Sequence, residues 1–209
     1  MTDLLETSAL LETPAGALFA ALLDVLAAKG MVSEADLAAR MAATDAAAPA
    51  QGARMVAKAW VDPAYRALMR ADGTRAAEAL GIPMLGAPPL GVLENRPGLH
   101  HLVVCTLCSC YPRAVLGYPP FWFKSAAYRA RAVRDPAGLI AEWGTVLAPG
   151  TEIAVVDSTA DYRWMVLPCR PAGSEGMSEA ALVREGDMIG VTVPRLVPEP
   201  MPARGDEVG

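Results

Sequence analysis

Three of the chain's four cysteines fall in one short stretch, Cys105-Thr106-Leu107-Cys108-Ser109-Cys110. Cys-x-x-Cys by itself is shared by zinc sites and redox pairs. The third cysteine, two positions on, changes the problem. In an extended strand Cys108 and Cys110 would point the same way without wrapping one ion closely. In a tight loop all three sulfurs can converge, and the peptide nitrogens of Ser109 and Cys110 are then pushed against the same ion. Deprotonated amides are strong donors and thiolates are soft, a set that favours a low-spin trivalent ion over labile zinc. Three sulfurs and two nitrogens would leave one octahedral position open, which a catalytic site needs and a structural site lacks.

On spacing alone a structural zinc site stands level with the catalytic one. Cys105, Cys108, Cys110 and His101 could form a Cys₃His set, in a structural or metal-carrier protein. The two histidines, His100 and His101, are adjacent. As lone residues they read as surface groups or satisfied core groups. A free redox pair has no thioredoxin-like βαβ pattern around it. Cys169 reads as a small buried hydrophobe.

The rest of the composition narrows the setting. The net charge is -5, and no Lys/Arg block exists to neutralise a phosphate backbone, so nucleic acid is not an expected partner. The apolar run from Ala15 to Ala28 is short for a membrane span and carries Asp24. Met1 to Glu6 is acidic and lacks the basic start of a signal peptide, so a cytoplasmic location is expected. Four cysteines in that setting suit metal or catalytic thiols better than disulfides.

The elements that must position the cluster follow from pattern. The expected fold is α+β: a helical N-terminal arm over 1–90, a layered α/β metal-binding domain over 91–197, and a disordered tail over 198–209. Thr13-Pro14 offers an N-cap, and Leu18, Phe19, Leu22, Leu23 and Leu26 recur at helical spacing until Gly30. Ser33 to Asp36 opens a second helix as a capping box. A third helix is expected over 53–60, and a fourth from Asp62-Pro63, interrupted at Asp72-Gly73 and closed by Gly81. The early region is rich in alanine, which favours helix but fills little volume, so it should lack a deep core of its own. Residues 82–98, with their prolines and glycines, read as an irregular crossing and the domain boundary. Strands are expected at 102–105, 152–156, 162–167 and 188–193. Helices are expected over 121–134, from Asp135-Pro136 to about Trp143, and over 178–184.

With the residues laid out, a family resemblance is visible. Val104 to Pro112 resembles the metal claw of nitrile hydratase α subunits. The likeness continues through Leu116-Gly117-Tyr118-Pro119-Pro120, Trp122-Phe123-Lys124-Ser125 and Tyr128-Arg129-Ala130-Arg131. It resumes at Asp157-Ser158-Thr159-Ala160-Asp161 and at Val166 to Gly173, and upstream at Ala57 to Tyr65 and Asp72-Gly73-Thr74. It covers roughly residues 15–195. The resemblance implies metal ligation by the sulfurs of Cys105, Cys108 and Cys110 and by the backbone nitrogens of Ser109 and Cys110. It implies a Cys108 sulfinate and a Cys110 sulfenate, with Cys110 and Ser109 as the catalytic residues. Thr106 is what cobalt-type members carry, where iron-type members have serine, so Co(III) is the implied ion. The implied activity is hydration of a nitrile to its amide, with the Cys110 oxygen either attacking the nitrile carbon or acting as base toward water. The implied partner is a β-type subunit, as one chain or split in two. It supplies two arginines to the oxidised cysteines, within a heterodimer or heterotetramer, and this chain alone should be inactive.

Departures from the family pattern bear on the substrate. Pro112-Arg113-Ala114 stands where many nitrile hydratases have Pro-Trp-Pro. An arginine there is similar to the γ subunit of thiocyanate hydrolase, a relative with the same claw, and suits an anionic substrate. Arg113 and Tyr118 are the candidate substrate-pocket residues, against the plainer reading that Arg113 faces partner or solvent. Ala114 in place of proline would widen a pocket toward bulkier or heteroaromatic nitriles. The stretch from Ile82 to Gly91 lacks the glutamine that relatives often carry there. Ser174 and Met177 read as packing changes, and Arg129, Arg131 and Arg134 as a solvated or interface helix face.

Overall fold

The structure, a computed structural model, describes residues 13–185; the expected strand at 188–193 and the tail at 198–209 lie outside them. The described residues form ten helices and four strands, a mixed helix-and-strand fold with open sheets, as the α+β reading expects. The chain divides into two compact units, 1–44 and 45–209.

The first unit holds α1 (Pro14–Ala28) and nearly all of α2 (Glu34–Asp45). The Thr13 side chain accepts from the Gly16 N–H, with Pro14 where a missing donor costs nothing. Ser33 and Asp36 bond reciprocally as the expected capping box. Neither helix buries a residue. Leu18, Phe19, Leu22 and Val25 are all exposed among the described residues.

In the second unit, α3 (Pro49–Val61) is the central helix and buries Met55, Val56, Ala57 and Ala59. The helices α4 (Pro63–Ala71) and α5 (Gly73–Ala79) follow, each capped by an aspartate, Asp62 and Asp72, that accepts from backbone N–H groups. The sequence places these helices with the arm. In the structure they share the core of the second unit, because α4 and α5 pack on β1 (Leu90–Glu94). That strand lies inside the stretch expected as an irregular crossing. Alternation is masked there because Gly91 carries no side chain: a Cβ would sit 2.3 Å from the Trp164 ring on the paired strand.

Two parallel pairs carry the site. β1 pairs with β4 (Arg163–Leu167), and β2 (Leu99–Val104) pairs with β3 (Glu152–Asp157). Parallel strands need a long crossover, which here is α6 (Arg113–Leu116), α7 (Phe121–Lys124), α8 (Ala126–Arg134) and α9 (Pro136–Glu142). The single helix expected over 121–134 is divided at Ser125, whose extended backbone ends α7 and whose hydroxyl accepts from the Tyr128 N–H to start α8. Asp135 caps α9 in the same manner. Trp122, Phe123, Tyr128 and Trp143 form an aromatic cluster within this crossover. The last described helix, α10 (Glu179–Glu185), packs on α3. Trp60 at the end of α3 donates to Pro168 O, and Arg170 donates back to Trp60 O, tying α3 to the chain after β4.

Candidate metal centre

The cysteine cluster begins where β2 ends. Val104 is the last paired residue, and Cys105 follows directly at the carboxyl end of the parallel β2–β3 pair. Open parallel sheets place ligand sites at that edge. The loop from Cys105 is held on both sides. Asp157, the register partner of Val104 on β3, accepts from the Thr106 backbone N–H at 3.0 Å and from the Thr106 hydroxyl. Ser158 next along donates its N–H to Val104 O. From the other side Arg129 on α8 donates one nitrogen to Leu107 O at 3.2 Å and Cys108 O at 3.1 Å. Tyr128 donates its hydroxyl to Val103 O, so α8 is fixed against β2 one residue before that arginine. Tyr111, the first residue after the cluster, packs edge-on against Phe123 with ring centroids 4.9 Å apart.

The three sulfurs converge, all lying within 4.8 Å of one another. Cys105 and Cys108 are 3.4 Å apart, and Cys108 and Cys110 3.2 Å, with none of the cysteines in a disulfide. Cys105 and Cys110 are buried while Cys108 is exposed. Burial pushes the Cys105 thiol up, but the N–H groups of Cys110 and Cys108 and the neighbouring sulfurs outweigh it, and the thiol ends below its ordinary value. Cys110 goes the other way: burial, then the two sulfurs, push it up to about 12, with Arg163 opposing. Two thiols a few ångströms apart are thus pulled in opposite directions, as expected when several titratable groups share one site.

The Cys₃His alternative is not formed. His101 and His100 are both engaged with Asn95 at distances of 2.8 to 3.2 Å, and among the described residues no histidine joins the sulfurs. Burial holds both imidazoles below their ordinary value. Cys169 is exposed rather than buried, because it follows β4 in the chain and lines a 410 Å³ cavity with Arg96, His100 and His101. None of residues 105–110 lines that cavity.

The candidate substrate-pocket residues lie together but apart from any described contact with the sulfurs. The Arg113 guanidinium sits 4.3 Å from the centroid of the Tyr118 ring, a cation–π pair in which both residues are exposed. Three residues that sequence reasoning gave no role stand at the site. Asp157 lies inside a stretch that carries the resemblance, but its partner Thr106 is 51 positions away. Arg129 sits in a basic helix that reads as solvated. Arg163 opens β4, and its Nη1 is buried without a hydrogen-bond partner. The signal for Arg163 was a lone cation at the head of the apolar run Trp164-Met165-Val166-Leu167.

Comparison with known proteins gives a consistent picture. The family model described as nitrile hydratase, alpha chain, matches residues 14–192. The chain is 50% identical over 149 residues to the low-molecular weight cobalt-containing nitrile hydratase subunit alpha of Rhodococcus rhodochrous, across 70% of this chain and 72% of that one. It is 44% identical over 161 residues to thiocyanate hydrolase subunit gamma of Thiobacillus thioparus, across 70% and 66%. Among solved structures, a recombinant thiocyanate hydrolase with partially modified cobalt centres superposes with TM-score 0.72 at 36% identity, covering 90% of this chain and 92% of that one. A double mutant of the Fe-type nitrile hydratase from Comamonas testosteroni Ni1 superposes with TM-score 0.66 at 38% identity, covering 90% and 95%.

Proposed function

The chain belongs to the nitrile hydratase α-chain family, and on that premise we propose that it hydrates a nitrile to its amide at a cobalt centre built on residues 105–110. The observation that carries this is the convergence of three sulfurs at a strand end, on a loop pinned from β3 and from α8. Cys105, Cys108 and Cys110 would hold the ion through sulfur, and Ser109 and Cys110 through backbone nitrogen. The donor set fits such an ion: the three sulfurs are already gathered, and the N–H of Cys110, one of the two nitrogens, faces the Cys105 sulfur. The buried, unpartnered Arg163 Nη1 supplies a cation beside Cys110 for the charge such a set accumulates. When bound, the metal supplies Lewis acidity toward a nitrile nitrogen or a water.

The chain's own residues account for the rest. Cys108, exposed, and Cys110, buried, would carry the sulfinate and sulfenate oxygens. The Cys110 oxygen would then act as nucleophile toward the nitrile carbon or as base toward water. Asp157 and Arg129 hold the loop so that these atoms keep their places. A β-type partner would bring arginines to the exposed side of the cluster and cover the apolar face of α1. The chain alone would then be inactive.

A second reading, thiocyanate hydrolysis, is favoured by Arg113 and by the likeness to thiocyanate hydrolase subunits. An arginine stacked on Tyr118 offers an exposed cation for an anionic substrate. Assaying the cobalt-loaded complex with its partner, against nitriles and thiocyanate side by side, separates them. Amide formation without ammonia release from thiocyanate supports the first, and the reverse pattern the second. Activity toward neither overturns both.

A further inference from the structure

Arg129 reaches the cluster through the carbonyl of a particular peptide. One of its guanidinium nitrogens lies 3.1 Å from Cys108 O and 3.2 Å from Leu107 O. Cys108 O belongs to the peptide whose nitrogen is Ser109 N. The Leu107–Cys108 peptide differs, since its N–H donates to the Cys105 sulfur at 3.2 Å. A peptide nitrogen that binds a metal ion gives its proton to solvent. The charge left behind spreads over nitrogen and oxygen, because the two share the partial double bond of the amide. A guanidinium on that oxygen is therefore placed where the charge collects, and a charge-assisted hydrogen bond is stronger than a neutral one. Its position is not accidental to the helix. Ser125 caps α8, and Tyr128 fixes the helix to Val103 O, so Arg129 is delivered to the loop by neighbours already bonded in place.

We propose that Arg129 is a positioning residue that stabilises the anionic Cys108–Ser109 peptide and so commits the cluster to backbone-nitrogen ligation rather than to a plain three-thiolate site. The inference rests on the backbone ligation proposed above. It separates two duties that one contact could serve. Holding the loop needs only a donor to two carbonyls. Stabilising the peptide charge needs a cation.

The test compares the full chain, produced with its β-type partner in cobalt medium, with the variants Arg129→Gln and Arg129→Lys. The readouts are the nitrogen-to-sulfur ratio around the metal by X-ray absorption and the rate of cobalt loss to a chelator. Glutamine keeps a donor without charge, and lysine keeps the charge without the guanidinium fork. Arg129→Gln is expected to lose nitrogen scatterers while keeping sulfur, and to shed cobalt about tenfold faster, whereas Arg129→Lys stays near wild type. If Arg129→Gln keeps the wild-type nitrogen shell and cobalt retention, Arg129 acts only as a loop tether and the proposal falls. A wild-type centre with sulfur alone around the metal overturns backbone ligation itself, and the role of Arg129 with it. Should Arg129→Gln fail to fold by circular dichroism, Arg129→Met and Arg129→Lys decide in the same way. Loss of the nitrogen shell in the first only supports the proposal, and equal shells or loss in both overturn it.

Discussion

At the scale of single residues, the site depends on contacts between positions far apart in sequence. Thr106 and Asp157 are 51 residues apart, and Asp157 grips both the backbone N–H and the hydroxyl of Thr106. Asp157→Ala should therefore loosen the loop entrance and lower cobalt content after purification, with little change in far-UV circular dichroism. Unchanged metal content would remove Asp157 from the site. His100 gives a pH prediction. Burial first, and then the neighbouring His101, hold it below its ordinary value of 6.5, so protons bind the unfolded chain more readily than the folded one. Its contribution is present above 6.5 and declines as pH falls below that and through the lowered folded value. In urea unfolding at about pH 7.5 and about pH 5.5, His100→Gln should lose less stability on acidification than wild type. Equal losses would mean His100 titrates alike in both states. The cysteine cluster itself was legible as residue types, since three cysteines within six positions suit one ion, and their sulfurs do gather. Arg129 and Arg163 were not, because what surrounds a cation in the fold, a carbonyl for one and a nearby sulfur for the other, lies on another element.

At the scale of elements, local chemistry explains which signals could be read. The caps at Thr13, Ser33, Asp62, Asp72, Ser125 and Asp135 are side chains bonding backbone N–H groups within a few residues. Such signals depend only on neighbours, and the helix starts at Thr13, Ser33, Asp62 and Asp135 were readable, whereas the start at Ser125 was hidden inside a continuous helical pattern. β1 was not, because Gly91 breaks its alternation and the reason for that glycine is the Trp164 ring on β4. Ser125 divided an expected single helix, and that division matters to the site, because it aims α8 at the loop. Ser125→Ala should cost about 1 kcal/mol of stability, measured by urea denaturation. It should also speed cobalt loss, since Tyr128 and Arg129 lie in the first turn it caps. An unaffected Cm would show that the cap is replaced. Gly52 in α3 sets a second constraint: a Cβ there would lie 2.5 Å from Leu116 Cδ2 and 3.1 Å from Val115 O. Both are in α6, the helix just beyond the cluster. Gly52→Val should destabilise by about 1–3 kcal/mol through overpacking. A Tm equal to wild type would mean that α3 and α6 separate without cost.

At the scale of the whole molecule, the N-terminal unit is the informative part. Leu18, Phe19, Leu22 and Val25 of α1 form an apolar face that the described residues leave exposed. The sequence showed this as alanine-rich, core-poor composition, while the place where the compact units divide depended on the hidden pairing of β1 with β4. A β-type partner on that face and over the exposed Cys108 would account for both. Catalysis would then require two chains, and the sequence of one chain holds the claw but not the substrate. The proposed chemistry depends on residues 105–110 forming an oxidised, amide-ligated cobalt centre. Metal analysis together with the mass of the peptide bearing residues 105–110, from protein made with its partner in cobalt medium, tests it directly. One cobalt per chain and a mass gain of three oxygens, two on Cys108 and one on Cys110, are expected. Stoichiometric zinc with three unmodified thiols would contradict it.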